Sequence, residues 1–441
     1  MSVSNFKPRK HLHADALIGT LRSTFEELPD PTPHTSEVSL ADTLMSGFAL
    51  FSLKDPSLLA FQKRRNDENM KHIYHIKRVP CDTYLRELLD EVEPGSLSPA
   101  FTRVFAQVQR GKVLERYRFL KNSYLLLLDG VEYYRSEIIH CPRCLEQHHH
   151  NGKVSYYHQL VGAVIAHPDL AEVLPLMPEP IQRQDGGNKG DCERNASKRL
   201  LERIAKEHPH LHFIVTEDGL SANGPHIQWI QSLGWGYILV AKPKDHTELF
   251  ARVEAAVADG SIATYQYLER QTGTIHCFRW LNQVPLNASH PDLLVNFLEY
   301  WEIDGKLQVQ YYNSWVTHIP CSRKTVPVIK RGGRARWKVE NETFNTLKNQ
   351  GYHFEHNYGH GQKNLSVVLA FVMLLAFFVD QIQQLCNPLF GAAWEKCGTK
   401  KELWEEIRTA FRAFVIVSMW ELYEVVYRGY RKGRPEILNS S

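Results

Sequence analysis

At 441 residues, 43% hydrophobic and 23% charged, the chain is long enough for a large core and for more than one simple domain, and it reads as soluble and globular. A formal net charge of only +3 means that whole-chain charge does not argue for a nucleic-acid partner; local clusters must do that. Eight scattered cysteines, with no apolar run after the cations of Met1 to Lys10, exclude a disulfide framework and a signal peptide and point to reduced thiols or metal ligands in the cytoplasm.

Residues 1–118 read as mostly helical. Pro29-Asp-Pro-Thr-Pro33 separates a first helix from a second that Ser39 caps, with Asp42 three residues on. Further helices are expected over Asp82 to Val92, with Asp82 as cap, and after Ser98-Pro99; Leu85, Leu88 and Leu89 make an inward stripe. Basic residues gather at Lys63-Arg64-Arg65, at Lys71 to Lys77 and from Arg110 to Lys121. Such clusters either grip phosphate or remain solvated faces.

Ser123 to Leu128 is then a continuous apolar run stopped by Asp129-Gly130, which is a buried strand ending in an acid or an ordinary turn. His140-Cys141-Pro-Arg-Cys144, followed by His148, has half of a zinc-site spacing: two thiolates and an imidazole, with His158 or Cys192 as a fourth ligand, or else a loop with reduced cysteines. Lys153 to Ala166 reads as paired strands, 167–190 as loop with the turn-rich Asp185 to Gly190, and Asp191-Cys-Glu193 opens a helix to about His208.

Leu211 to Thr216 is a second apolar strand, ending in Glu217-Asp218, where the two side chains should face opposite ways. Gly236 to Ala241 is another strand, with Lys242 and Lys244 at its end. A β-rich stretch follows: Thr264 to Leu268, Thr274 to Trp280, Phe297 to Trp301 and Leu307 to Tyr312, with a hairpin turn at Ile303-Asp-Gly-Lys306.

The next segment is strongly basic: Arg323, Lys324, Lys330, Arg331, Arg334, Arg336 and Lys338, with Gly332-Gly333 as a pivot. As one helix, Arg336 and Glu340 would share a face that Phe344 and Lys348 extend. An acid between cations suits a catalytic metal beside nucleic-acid phosphates, or simply a solvated helix with ion pairs. Leu365 to Val379 falls short of the about 20 apolar residues of a membrane span and reads as a helix buried in a core.

Arg336-Trp-Lys-Val-Glu340, followed by Phe344 and Lys348, resembles the Tyr-x2-Arg-x3-Glu-x6-Lys signature of bacterial insertion-sequence transposases of the DDE class. Gly333 stands where that signature has Tyr, Lys348 lies one residue further from Glu340, and Glu342 is a rival for the acid. The resemblance implies an α/β protein: an RNase H-like catalytic core (119–245 and 329–400) interrupted by a β-rich insertion (246–328), between a helical N-terminal region that recognises DNA ends (1–118) and a helical C-terminal region (401–441).

It also implies Asp129, Asp218 and Glu340 as a catalytic triad holding Mg²⁺, for which Mn²⁺ substitutes, with Arg336 and Lys348 on the DNA backbone; Lys242, Arg331 and Arg334 read as further phosphate contacts or as solvated cations. In some members an aromatic residue of the insertion stacks on a displaced base; Tyr311, Tyr312 and Trp315 are the candidates here, with core packing the other fate of each. The implied activity is nicking of double-stranded DNA at the element's ends and transfer of the 3′-OH ends into target DNA, by a bacterial cytoplasmic homodimer without membrane contact. An inactive DNA-binding relative, and a metal-dependent nuclease that does not join strands, are the alternatives.

Overall fold

A computed structural model describes residues 6–7, 9–32, 37–183 and 189–430, apart from the side chains of 189–191 and 220. Most of the turn-rich Asp185 to Gly190 stretch and the basic tail beyond 430 lie outside the described residues. The protein is mixed α/β and divides into two compact units, a helical one from Met1–Lys112 with Thr346–Ser441, and Val113–Asn345, which carries the sheet. The helical ends of the chain thus form one unit, where the sequence suggested two separate regions and a core continuing to residue 400.

In the helical unit, helix Leu40–Ser52 begins as expected, with the Ser39 hydroxyl accepting from the Asp42 N–H at 3.1 Å. Cys81, one residue earlier than expected, stands at the N-terminal boundary of helix Asp82–Asp90 without a side-chain capping bond, and Leu85, Leu88 and Leu89 are the helix's buried face. Arg64, from the first basic cluster, is buried against Asp55 at 2.7 Å, so phosphate cannot reach it. The apolar stretch runs past Val379 as the 22-residue helix Leu365–Cys386, long and apolar enough to cross a membrane, yet 94% of its most apolar window is buried by the protein itself, as in a core helix. Asp380 is tolerated within it because Lys54 and the Tyr352 hydroxyl donate to its carboxylate. Burial pushes the lysine pKa down and the aspartate pKa up.

In the other unit, β1 (Ser123–Ser136), β2 (Leu145–His148), β3 (Val154–Ala166), β4 (Leu174–Pro180), β5 (His212–Thr216), β6 (Gly236–Val240), β7 (Ala263–Glu269), β8 (Thr274–Asn287), β9 (His290–Ile303) and β10 (Val309–Thr317) form one ten-stranded mixed sheet. Its order is β2-β3-β1-β5-β6-β10-β9-β8-β7, with β4 also on β3. β3 is antiparallel to β1, whereas β5 is parallel to β1 and β6 to β5, reached through helices Lys189–Glu207 and Gly224–Ser232. Leu125 to Leu128 are buried in succession because a central strand is covered on both faces.

The β-rich segment begins with helix Thr247–Ala258 and does not form a sheet of its own: β10 pairs antiparallel with β6, Trp315 opposite Val240, so β7 to β10 continue the same sheet. The β9–β10 turn is closed as its sequence suggests, with the Asp304 carboxylate accepting from the Lys306 and Gln308 N–H groups at 2.9 Å.

Candidate active site

β1 does not stop at Asp129 but continues to Ser136, so this acid lies within a strand and not at its end. Its parallel pairing with β5 runs from Ser123 opposite His212 to Leu127 opposite Thr216. Carried two residues further, the same register brings Asp129 level with Asp218, and level residues on parallel neighbours share a face. Glu217 faces the other way: it is 3% exposed and accepts a 2.6 Å hydrogen bond from His226 Nε2.

The third acid arrives on a segment wound differently from the expected single helix. Val326–Arg334 is α-helical, the chain turns at Ala335-Arg336, and Val339–Phe344 is a π-helix. Arg336 and Glu340 therefore do not sit on one continuous α-helical face. π-turns are rare and gather at functional sites. Phe344, at the end of this one, lies over Gly162 of β3, where a Cβ would stand 2.7 Å from the ring. Gly162 is directly opposite Asp129 across the antiparallel pair. The missing side chain thus seats the Glu340 segment on the sheet face that carries Asp129.

Electrostatics links the same groups. Burial raises the Asp129 pKa, Arg336 opposes the rise from 3.3 Å, Glu340 and Asp218 add to it, and the net shift is upward. At Asp218 burial also pushes upward, but the Gly219 N–H, Lys242 at 3.0 Å and Arg336 outweigh it, and the net shift is downward. One guanidinium therefore acts on both aspartates. Glu340, and not its rival Glu342, is among the largest influences on Asp129. Among the described residues, no three carboxylates bring their oxygens within 4.8 Å of one another.

The other expected DNA-binding cations are engaged in ion pairs. Arg331 donates to both oxygens of Asp169 at 2.6 Å, Arg334 pairs with Glu302 while lying 4.6 Å from the Tyr311 ring centroid, and Lys348, in the helical unit, pairs with Glu355 at 2.7 Å. Trp315 cannot stack on a base, because it is fully buried against Gly333. Gly332 and Gly333 are no pivot either: both are buried in helix Val326–Arg334, where a Cβ would collide with Ile238 and Phe119 or with the Trp315 indole. Of the three aromatic candidates, Tyr312 is the exposed one, at 42%, its hydroxyl donating to Glu299 at 2.6 Å.

The cysteine pair is joined by His158, one of the two candidates for a fourth ligand, and not by His148. The His148 ring is 74% exposed and sits 3.6 Å from Glu146, away from the thiols, whereas His158 Nε2 lies 3.5 Å from both the Cys141 and the Cys144 sulfur. Sequence spacing placed His148 beside the cysteines and left His158 as a further candidate; which imidazole reaches the sulfurs is set by the long-range pairing of β3 with β1. Sequence reasoning also missed the seat that Gly162 gives Phe344 and the buried partner of Glu217. Comparison with protein-family models and with curated proteins finds no match to this chain.

Proposed function

We propose that the chain is a DNA transposase of the DDE class, which nicks DNA at the ends of its insertion sequence and joins the freed 3′-OH ends to target DNA. The observation that carries this reading is the acid set itself: Asp129 within β1 and Asp218 two residues past the end of the parallel neighbour β5, with Glu340 close enough to raise the Asp129 pKa.

The sheet supports it. An antiparallel start of β1, β3 and β4, followed by β5 and β6 in parallel through helices, agrees with an RNase H-like core. β7 to β10 enter the chain between the second and third acid, as the insertion of this transposase group does. Both departures from the signature also have a physical account. A π-turn closes on an i→i+5 bond, so Val339–Phe344 takes up the one extra residue before Lys348. The Trp315 indole fills the space beside Gly333 where the signature has a tyrosine.

Hard carboxylate oxygens around a buried acid that already carries like-charge repulsion suit Mg²⁺ or Mn²⁺, held by Asp129, Asp218 and Glu340. Such ions supply an activated water or 3′-hydroxyl and a stabilised leaving oxygen. The protein's own groups bind and orient the DNA. Arg336 and Lys242 offset the charge of the two aspartates and present cations to a phosphate backbone that approaches them. Arg331 and Arg334, partly exposed in their ion pairs, exchange Asp169 and Glu302 for phosphates, which makes binding salt-dependent. Cutting two ends in concert requires at least two copies, so the working form is a homodimer on double-stranded DNA.

The test is cleavage of the gene's own flanking DNA by purified protein with Mg²⁺ or Mn²⁺, beside Asp129→Asn and Glu340→Gln. Nicking at defined flanking positions, lost in both variants while DNA binding persists, is the expected result. Binding without nicking under every metal condition would leave an inactive DNA-binding relative. Nicking that never joins a pre-cut end to target DNA would leave a nuclease.

A further inference from the structure

A second cluster of chemistry-bearing side chains lies away from the carboxylates, where the excursion between β1 and β3 begins. Cys141 and Cys144 are 3% and 0% exposed, and His158, reaching from β3, is 5% exposed. The two sulfurs are 3.8 Å apart, and each is 3.5 Å from His158 Nε2. A tetrahedral zinc ion, with bonds of about 2.3 Å to sulfur and about 2.0–2.1 Å to nitrogen, sets sulfur-to-sulfur edges of about 3.8 Å and sulfur-to-nitrogen edges of about 3.5 Å. All three observed edges match that tetrahedron. A disulfide would need sulfurs about 2.0 Å apart, and a thiol–thiol contact alone gives no reason for one imidazole nitrogen to stand equally far from both.

The surroundings agree with a bound metal. The Cys141 N–H points at the Cys144 sulfur from 3.4 Å, and the Cys144 N–H donates to the Cys141 carbonyl at 3.1 Å, closing the tight turn that the Cys-x2-Cys spacing requires. The stretch has little core of its own, since Ile138 is 84% and Ile139 48% exposed and β2 has only four residues.

We propose that Cys141, Cys144 and His158 hold a structural zinc ion that fastens the excursion between β1 and β3 to the sheet. The triangle fixes three corners of the tetrahedron and leaves the fourth to a further donor. Burial of all three donors matches closed structural sites instead of open catalytic ones. On binding, each thiol releases its proton to solvent as its sulfur bonds the metal, and the affinity adds to the stability of the fold. The site stands or falls independently of the transposase reading.

The experiment is metal analysis of the full-length protein, purified under reducing conditions without chelator. The expected result is about one equivalent of zinc per chain, removed by a strong chelator together with exposure of thiols to a thiol reagent, and replaceable by Co²⁺ with thiolate-to-metal charge-transfer absorption. Cys144→Ser and His158→Ala lose the metal, while His148→Ala keeps it. Because the first two variants can also fail to fold, the wild-type content and the Co²⁺ spectrum decide by themselves. Zinc at trace level only, or bound Co²⁺ without thiolate bands, overturns the proposal, as does zinc that is lost from His148→Ala or retained in Cys144→Ser.

Discussion

The Arg336 guanidinium stands 3.3 Å from the Asp129 carboxylate, yet that acid stays above its ordinary pKa because burial and two neighbouring acids outweigh one cation. A carboxyl whose pKa is raised by folding adds stability below the unfolded value, near 4, and loses it as pH rises through the folded value. At neutral pH the ionised Asp129 is therefore a cost to the fold. Asp129→Asn should raise stability at pH 7, with the gain vanishing in acid, while abolishing cleavage. Urea unfolding of both proteins at neutral and acid pH checks this, and an Asn variant less stable than wild type at pH 7 would contradict the charge balance described here.

Gly162 gives a separate handle on the third acid. A Cβ at this position would press on the Phe344 ring, and overpacking of this kind costs about 1–3 kcal/mol. Gly162→Ala should therefore displace the π-helix that carries Glu340 and lower the cleavage rate far more than DNA affinity. Phe344→Leu in the same chain should recover part of the stability, because the two sites are in contact and their effects should not add. Strict additivity of the pair would mean that this contact does not position the segment.

Much of the sheet was legible because its signals are local. The apolar runs ending at Asp129 and Thr216 announce buried strands, and the Asp-Gly turn after Ile303 announces a hairpin. The relation between the two aspartates was legible only as a hypothesis, since the register that makes them level is a long-range pairing. The π-helix was hidden because its residue types, read in periods of an ordinary helix, give an equally good stripe. Gly332 and Gly333 misled for a related reason: glycine signals freedom in a loop and close approach in a packed helix, and only the neighbouring Trp315 distinguishes the two.

That close approach is itself testable. Gly333→Ala would drive a methyl group into the Trp315 indole and should destabilise the protein by about 1–3 kcal/mol in urea unfolding. In a Trp315→Leu background, which opens the space, the same alanine should cost much less. An unchanged cost in both backgrounds would mean that the indole does not set the requirement for glycine.

The buried Glu217–His226 pair lies directly before Asp218 in the chain and anchors it to helix Gly224–Ser232 from the opposite face. Burial raises the Glu217 pKa, but attraction to His226 and its hydrogen bond outweigh this and the net shift is downward. A carboxyl lowered by folding contributes stability above its unfolded pKa and loses it as pH falls through the folded value. His226→Ala would leave the carboxylate buried without its partner and should cost about 3–5 kcal/mol at neutral pH. Lowering the pH should shrink that difference, because Glu217 can then take a proton and shed its charge. Glu217→Gln, which keeps the shape and an acceptor for Nε2, should cost less at pH 7 than His226→Ala. A penalty for His226→Ala that is the same at pH 7 and pH 4 would show that packing, and not the hydrogen bond to the buried carboxylate, ties this end of β5 to the helix.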